Sequence, residues 1–171
     1  MSIDCIGYSD ADWAGDNGDR KSTSGYLFLI AGGPVSWRSK KQDTVALSTA
    51  EAEYVALSIA SQECVWLRRL NSELKNEPQG PTTILEDNQS CIAMAKNPQF
   101  HGRTKHVDIK HHYIREQVHS KTVELKYCPT QDMVADMLTK GLPPVTFNKL
   151  REKAGILTLT DFEMSVCEEE C

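Results

Sequence analysis

The stretch Leu47-Ser48-Thr49-Ala50-Glu51-Ala52-Glu53-Tyr54-Val55-Ala56-Leu57 opens the longest helix-compatible run of the chain, free of glycine and proline to about Leu70. Ser48 followed three residues later by Glu51 forms a capping box, in which side chains cover backbone N–H groups that lack an intrahelical partner. At roughly 100° per residue, Glu51, Ser58, Gln62 and Arg69 fall on one line, a narrow polar stripe. Glu53 points about 200° away from Glu51, into the sector of Leu57, Ala60, Cys64 and Leu67. An ionised carboxylate aimed at a core is costly unless it is paired or bound to a cation. The plainer alternative is that Glu53 sits near the positive helix end and curls out to solvent.

At 171 residues the chain suits one domain with a real core. No apolar run approaches the ~18 residues of a membrane helix, and the N-terminus lacks a signal-peptide pattern. The six cysteines, at 5, 64, 91, 128, 167 and 171, contain no Cys-x-x-Cys pair. Reduced thiols in an intracellular setting are therefore expected, rather than a disulfide framework or a zinc site. The net charge of −5 is uneven, because residues 160–171 carry five acids and no lysine or arginine. Without them the acids equal the 19 basic residues. A neutral body with local basic patches can still bind a polyanion.

In chain order, Ile3–Ser9 reads as a strand running into Asp10. Gly25–Ala31 and Val35–Ser39 are further strands, the three forming an antiparallel meander. The long helix follows, then a fourth strand at Thr82–Asp87 and a helix from Asn88 to Lys96. A helix over Lys105–His119, a fifth strand at Thr122–Tyr127, a helix over Gln131–Lys140 and a short one near Asn148–Ala154 complete the pattern. This order predicts an α/β fold, a mixed sheet with helices on its faces.

Asp10 ends the first strand, Asp87 ends the fourth, Glu53 starts the first helix and Asp136 lies in a late helix. If strands one and four are neighbours, their carboxyl ends form the usual ligand crevice of such sheets. Four hard oxygen donors without a Cys/His set select Mg²⁺ or Mn²⁺ over zinc. Two such ions about 4 Å apart can activate water and neutralise a leaving oxygen in phosphodiester hydrolysis. Taken singly, Asp10 also reads as a turn residue, Asp87 as a helix cap and Asp136 as one of a wet face with Asp132 and Lys140.

Longer motifs add to this. Tyr8–Asp16, Arg20–Tyr26, Ser36–Gln42, Leu47–Leu57, Glu86–Ser90, His101–His111 and Ala135–Gly141 together resemble the ribonuclease H domain of Copia-type LTR retrotransposon polyproteins. The likeness covers roughly residues 5–156. It implies an RNase H-like fold over residues 1–156, with a five-stranded mixed sheet, three strands antiparallel and then two parallel. Residues 157–171 would be a poorly ordered acidic tail. The implied activity is cleavage of the RNA strand of an RNA–DNA hybrid during reverse transcription, by a two-metal-ion endonuclease using Mg²⁺, with Mn²⁺ as a substitute. Asp10, Glu53, Asp87 and Asp136 match the family's metal-binding carboxylates, with Asp12 a rival to Asp10 for the first position. A reverse transcriptase domain upstream is implied, as is an intracellular location in a cytoplasmic virus-like particle or the nucleus. The rival reading is a non-catalytic hybrid-binding or structural module, of a polyprotein or a domesticated remnant. An integrase-type transposase fits less well, because its acid spacing differs around the last carboxylate. One departure stands out: cellular type 1 enzymes carry a loop histidine where this chain reads Lys126-Tyr127-Cys128-Pro129-Thr130.

Arg38, Lys40 and Lys41 are candidate phosphate contacts, or else charges guarding a strand edge. Gln89, two residues past Asp87, is placed to reach a base edge or a ribose hydroxyl. The His101–His112 run fits no tetrahedral metal pattern. With Arg103, Lys105, Lys110 and Arg115 it reads instead as a second basic surface.

Overall fold

The computed structural model describes residues 5–76, 78–97 and 105–159. Five strands, β1 (Cys5–Ala11), β2 (Thr23–Ile30), β3 (Gly33–Lys41), β4 (Thr82–Glu86) and β5 (Val123–Tyr127), form one sheet in the order β3-β2-β1-β4-β5. β1 pairs antiparallel with β2, and β2 with β3. β1 pairs parallel with β4, and β4 with β5. The expected three-plus-two arrangement is thus present, with β1 and β4 adjacent. A parallel pair needs a crossover, and the helix α1 (Thr49–Glu73) supplies it.

Side chains alternate across the sheet and define two cores. On one face Tyr26, Phe28 and Ile84 pack with Tyr54, Leu57 and Ala60 of α1 and with Ile114 of α3 (Lys105–His119). On the other, Tyr8, Leu27 and Leu29 pack beneath Met133, Val134 and Ala135. The helices α2 (Gln89–Lys96) and α4 (Pro144–Lys153) flank the sheet. α4 starts earlier than the sequence pattern suggested because Pro144 occupies its first turn, where proline's missing N–H costs nothing.

Ser48 caps α1 as expected, accepting from the Glu51 N–H at 3.2 Å. Glu51 reaches back to the Leu47 N–H at 2.7 Å, one residue before the cap. The polar stripe, however, does not hold: Ser58 is only 1% exposed. The first half of α1 lies under the sheet on one side and against Ala46 of the β3–α1 connection on another, so residues 52–58 are buried all round.

The predicted helix over Gln131–Lys140 is replaced by two 3-10 turns, Thr130–Asp132 and Val134–Leu138, broken at Met133. Their bonds run from i to i−3, as in Met133 N–H to Thr130 O and Asp136 N–H to Met133 O. Met133, Val134 and Ala135 are fully buried on the sheet while Thr130 and Thr139 are tied to strand-end carboxylates, and that double anchoring favours the tighter winding. Of the tail read from residue 157 onward, only 157–159 belong to the described residues.

Candidate active site

Asp10 is the penultimate residue of β1, and Asp87 directly follows β4, so the parallel pairing sets both at the carboxyl end of these two neighbouring strands. Glu53 sits in the second turn of α1 and reaches the same place. One carboxylate oxygen from each of Asp10, Glu53 and Asp87 lies within 4.8 Å of the other two. Glu53, 6% exposed, does face inward as the helical geometry predicted, and its Oε2 accepts from the Ala11 N–H at 2.7 Å. The helix carrying it is braced by Gln42, a buried side chain not singled out in the sequence. Its Nε2 donates to Ser24 Oγ at 2.8 Å and to the Ala52 carbonyl at 2.9 Å.

Each remaining acid is oriented by the 3-10 segment. Thr139 donates its hydroxyl to Asp10 Oδ2. Thr130 donates to Asp87 Oδ2 at 2.6 Å. Asp136 is 5% exposed and lies outside the close group of three. Its Oδ1 is 2.9 Å from the ammonium of Lys140, which also stands 3.8 Å from Asp10 Oδ2. The shared wet face of Asp132, Asp136 and Lys140 does not exist, because Asp132 turns away to Lys149 and Lys153 of α4. Asp12 is not part of the cluster, since its Oδ1 accepts from the Thr23 N–H in the β1–β2 connection.

Burial dominates the electrostatics. It pushes the Asp10 carboxyl up to about 7, against the pull of the Lys140 charge and with the push of Asp136. Glu53 is driven up to about 9 by burial first and then by the charges of Asp10 and Asp87. Glu86, missed by sequence reasoning, is fully buried beside this group and pushed well above the usual carboxylate range, by burial and then by Glu53. Its Oε1 accepts from the Asn88 N–H at 3.2 Å, while its Oε2 has no hydrogen-bond partner among the described residues. Carboxylates crowded out of water in this way are compatible with a divalent cation, which would supply positive charge that among the described residues comes from Lys140.

The basic candidates fall into different settings. Lys40 lies opposite Ser24, which in turn lies opposite Ala11, so it stands level with the acidic cluster two strands away. Arg38 and Lys40 are exposed on β3. Lys41 is already engaged, pairing with Asp16 at 2.5 Å and Asp19 at 2.9 Å of the β1–β2 connection. Those two acids come from a turn whose sequence offered no sign of where it folds back. Gln89 is exposed in the first turn of α2, beside Asp87. Arg103 lies outside the described residues, and Lys105 is described only as backbone at the start of α3. Farther along, Lys96, His112, Arg115, His119 and Lys121 line a groove of about 580 Å³ between α2 and α3, away from the carboxylates. Among the described residues no helix is long and apolar enough to cross a membrane.

This sheet order, with its flanking helices, has counterparts among known structures. The N-terminal RNase H domain of rv2228c from Mycobacterium tuberculosis, solved as a fusion with maltose binding protein, superposes with a TM-score of 0.58 at 12% identity, over 90% of this chain and 99% of that one. LC11-RNase H1 in complex with an RNA/DNA hybrid gives 0.55 at 14% identity, over 79% and 93%. The fold is that of a ribonuclease H domain. No protein-family model matches the chain. The Pol polyprotein of the tobacco transposon TNT 1-94 is 45% identical over 150 residues, which are 88% of this chain and 11% of that protein. The chain is a homologue of the Pol polyproteins of Copia-type plant transposons, and spans about a tenth of the length of those relatives.

Proposed function

We propose that the chain is the ribonuclease H domain of a retrotransposon Pol polyprotein, an endonuclease that cuts the RNA strand of RNA–DNA hybrids during reverse transcription. The observation that carries this reading is the meeting of Asp10, Glu53 and Asp87, distant in sequence, within 4.8 Å at the carboxyl ends of β1 and β4 in a ribonuclease H fold. These three carboxylates would hold Mg²⁺, two ions with Mn²⁺ able to substitute, and Asp136 would complete the set. When bound, the metal lowers the pKa of a water nucleophile and neutralises charge on the leaving oxygen.

The chain's own part is to position. Thr139, Thr130 and the Ala11 N–H fix the posture of Asp10, Asp87 and Glu53, as the outer partners of metal ligands commonly do. Asp136, paired with Lys140, would help to position the attacking water. Lys40 and Arg38 would meet phosphates of the hybrid, and Gln89 a ribose hydroxyl or base edge beside Asp87.

The test is a hybrid carrying labelled RNA, incubated with the purified chain with and without Mg²⁺. Expected products are RNA fragments with 5′-phosphate and 3′-hydroxyl ends. Asp10→Asn should keep the circular dichroism spectrum and lose cleavage. Hybrid binding without cutting, in either Mg²⁺ or Mn²⁺, would replace this reading with that of a non-catalytic module.

A further inference from the structure

Two of the four acidic side chains already have a positive partner. Lys140 Nζ lies 2.9 Å from Asp136 Oδ1 and 3.8 Å from Asp10 Oδ2, so a single ammonium spans both. Asp10 is 1% and Asp136 5% exposed, and burying two neighbouring carboxylates without such a charge is costly. The backbone holds the lysine there, since the Lys140 N–H bonds to the Asp136 carbonyl at 3.2 Å. Its side chain nevertheless remains 37% exposed, which leaves the ammonium a way out to solvent without disturbing the core.

We propose that Lys140 is the resident counter-cation of the Asp10–Asp136 edge, and that a divalent ion must displace its ammonium before both carboxylates can serve that ion. The inference rests on reading the acidic group as a divalent-ion site. The site is then never without positive charge, and the lysine sets how much free metal is needed to load it. Asp10 is shared between the close group of three and the lysine pair, so the ion that competes with Lys140 is the one drawing on Asp10 and Asp136 together.

Two substitutions move this competition in opposite directions. Lys140→Met removes the competitor. Lys140→Arg replaces it with a planar fork that can hold both carboxylates and stays charged. The measurement is calorimetric titration of the metal-free protein with MnCl₂, paired with melting in EDTA. Lys140→Met should bind Mn²⁺ about tenfold tighter at the weaker site, a change of about 1.4 kcal/mol. It should also melt lower than the parent in EDTA and recover that loss at saturating Mn²⁺. Lys140→Arg should bind Mn²⁺ several-fold more weakly and melt no lower than the parent in EDTA. Parental affinity in either variant would overturn the proposal. So would parental affinity combined with weaker hybrid binding, which would make the lysine a substrate contact instead. Failure of the parent to take up Mn²⁺ above the level of Asp10→Asn removes the metal reading altogether, whereas equal uptake by parent and variants removes the lysine's role alone.

Discussion

Thr139 shows how a single hydroxyl can set the working posture of an acid. Its Oγ1 donates to Asp10 Oδ2 from the far end of the sequence. Thr139→Val keeps the shape and removes the donor, so hybrid cleavage should fall about 10- to 100-fold, with the metal requirement shifted upward. Steady-state cleavage rates across an MgCl₂ series would check this. The raised carboxyls make a second prediction. Asp10 is pushed up to about 7 from 3.8, and Glu53 to about 9 from 4.5. Between those limits the folded chain keeps protons that the unfolded chain has released, so folding takes up protons and stability falls as pH rises. Melting in EDTA should therefore drop steadily from pH 4.5 to pH 9, and added Mn²⁺ should stabilise more at the alkaline end. Asp10, Glu53 and Asp87 were legible from the sequence because each sits at a strand or helix end, where periodicity tells direction. Thr139 was not, because its role depends on a segment winding with three residues per turn rather than 3.6, and Lys140 was read on a wet face because nothing local reports the burial of Asp136.

That 3-10 segment is the element on which the site's outer wall depends. It rests on β2 at Gly25, where an added Cβ would lie 2.7 Å from Thr139 Cγ2, 2.9 Å from Leu138 Cβ and 3.3 Å from the Ala135 carbonyl. Gly25→Ala should lift the segment from the sheet, costing about 1–3 kcal/mol and pulling Thr139 off Asp10. Thermal melting and hybrid cleavage should decline together in that variant, whereas Thr139→Val should affect cleavage far more than melting. The strands and α1 were visible in the sequence through alternation, turn residues and the Ser48 cap. The segment after Pro129 was misread as α-helical because Gln131–Lys140 contains nothing that forbids an α-helix. Its winding is imposed by tertiary anchors at both ends, and no local propensity reports those.

On the scale of the whole molecule, the net charge of −5 opposes a polyanionic partner, and only local patches can favour it. Lys40 stands level with the acids and exposed, while Lys41 is held by Asp16 and Asp19. Hybrid affinity of the non-cutting Asp10→Asn variant, followed by fluorescence anisotropy at increasing salt, should weaken steadily. Adding Lys40→Ala should reduce the slope of log K against log salt by about one unit. Lys41→Ala should change that slope less, because its charge is already matched. The crossover that lays β4 beside β1 has one more consequence. A cut in the connection between α1 and β4 would leave Asp10 and Glu53 on one piece and Asp87 and Asp136 on the other, so neither half could work by itself. Co-expressed, the two halves should recover nuclease activity only when the parallel pair zips back together, which makes that seam a ready split point for a two-part reporter.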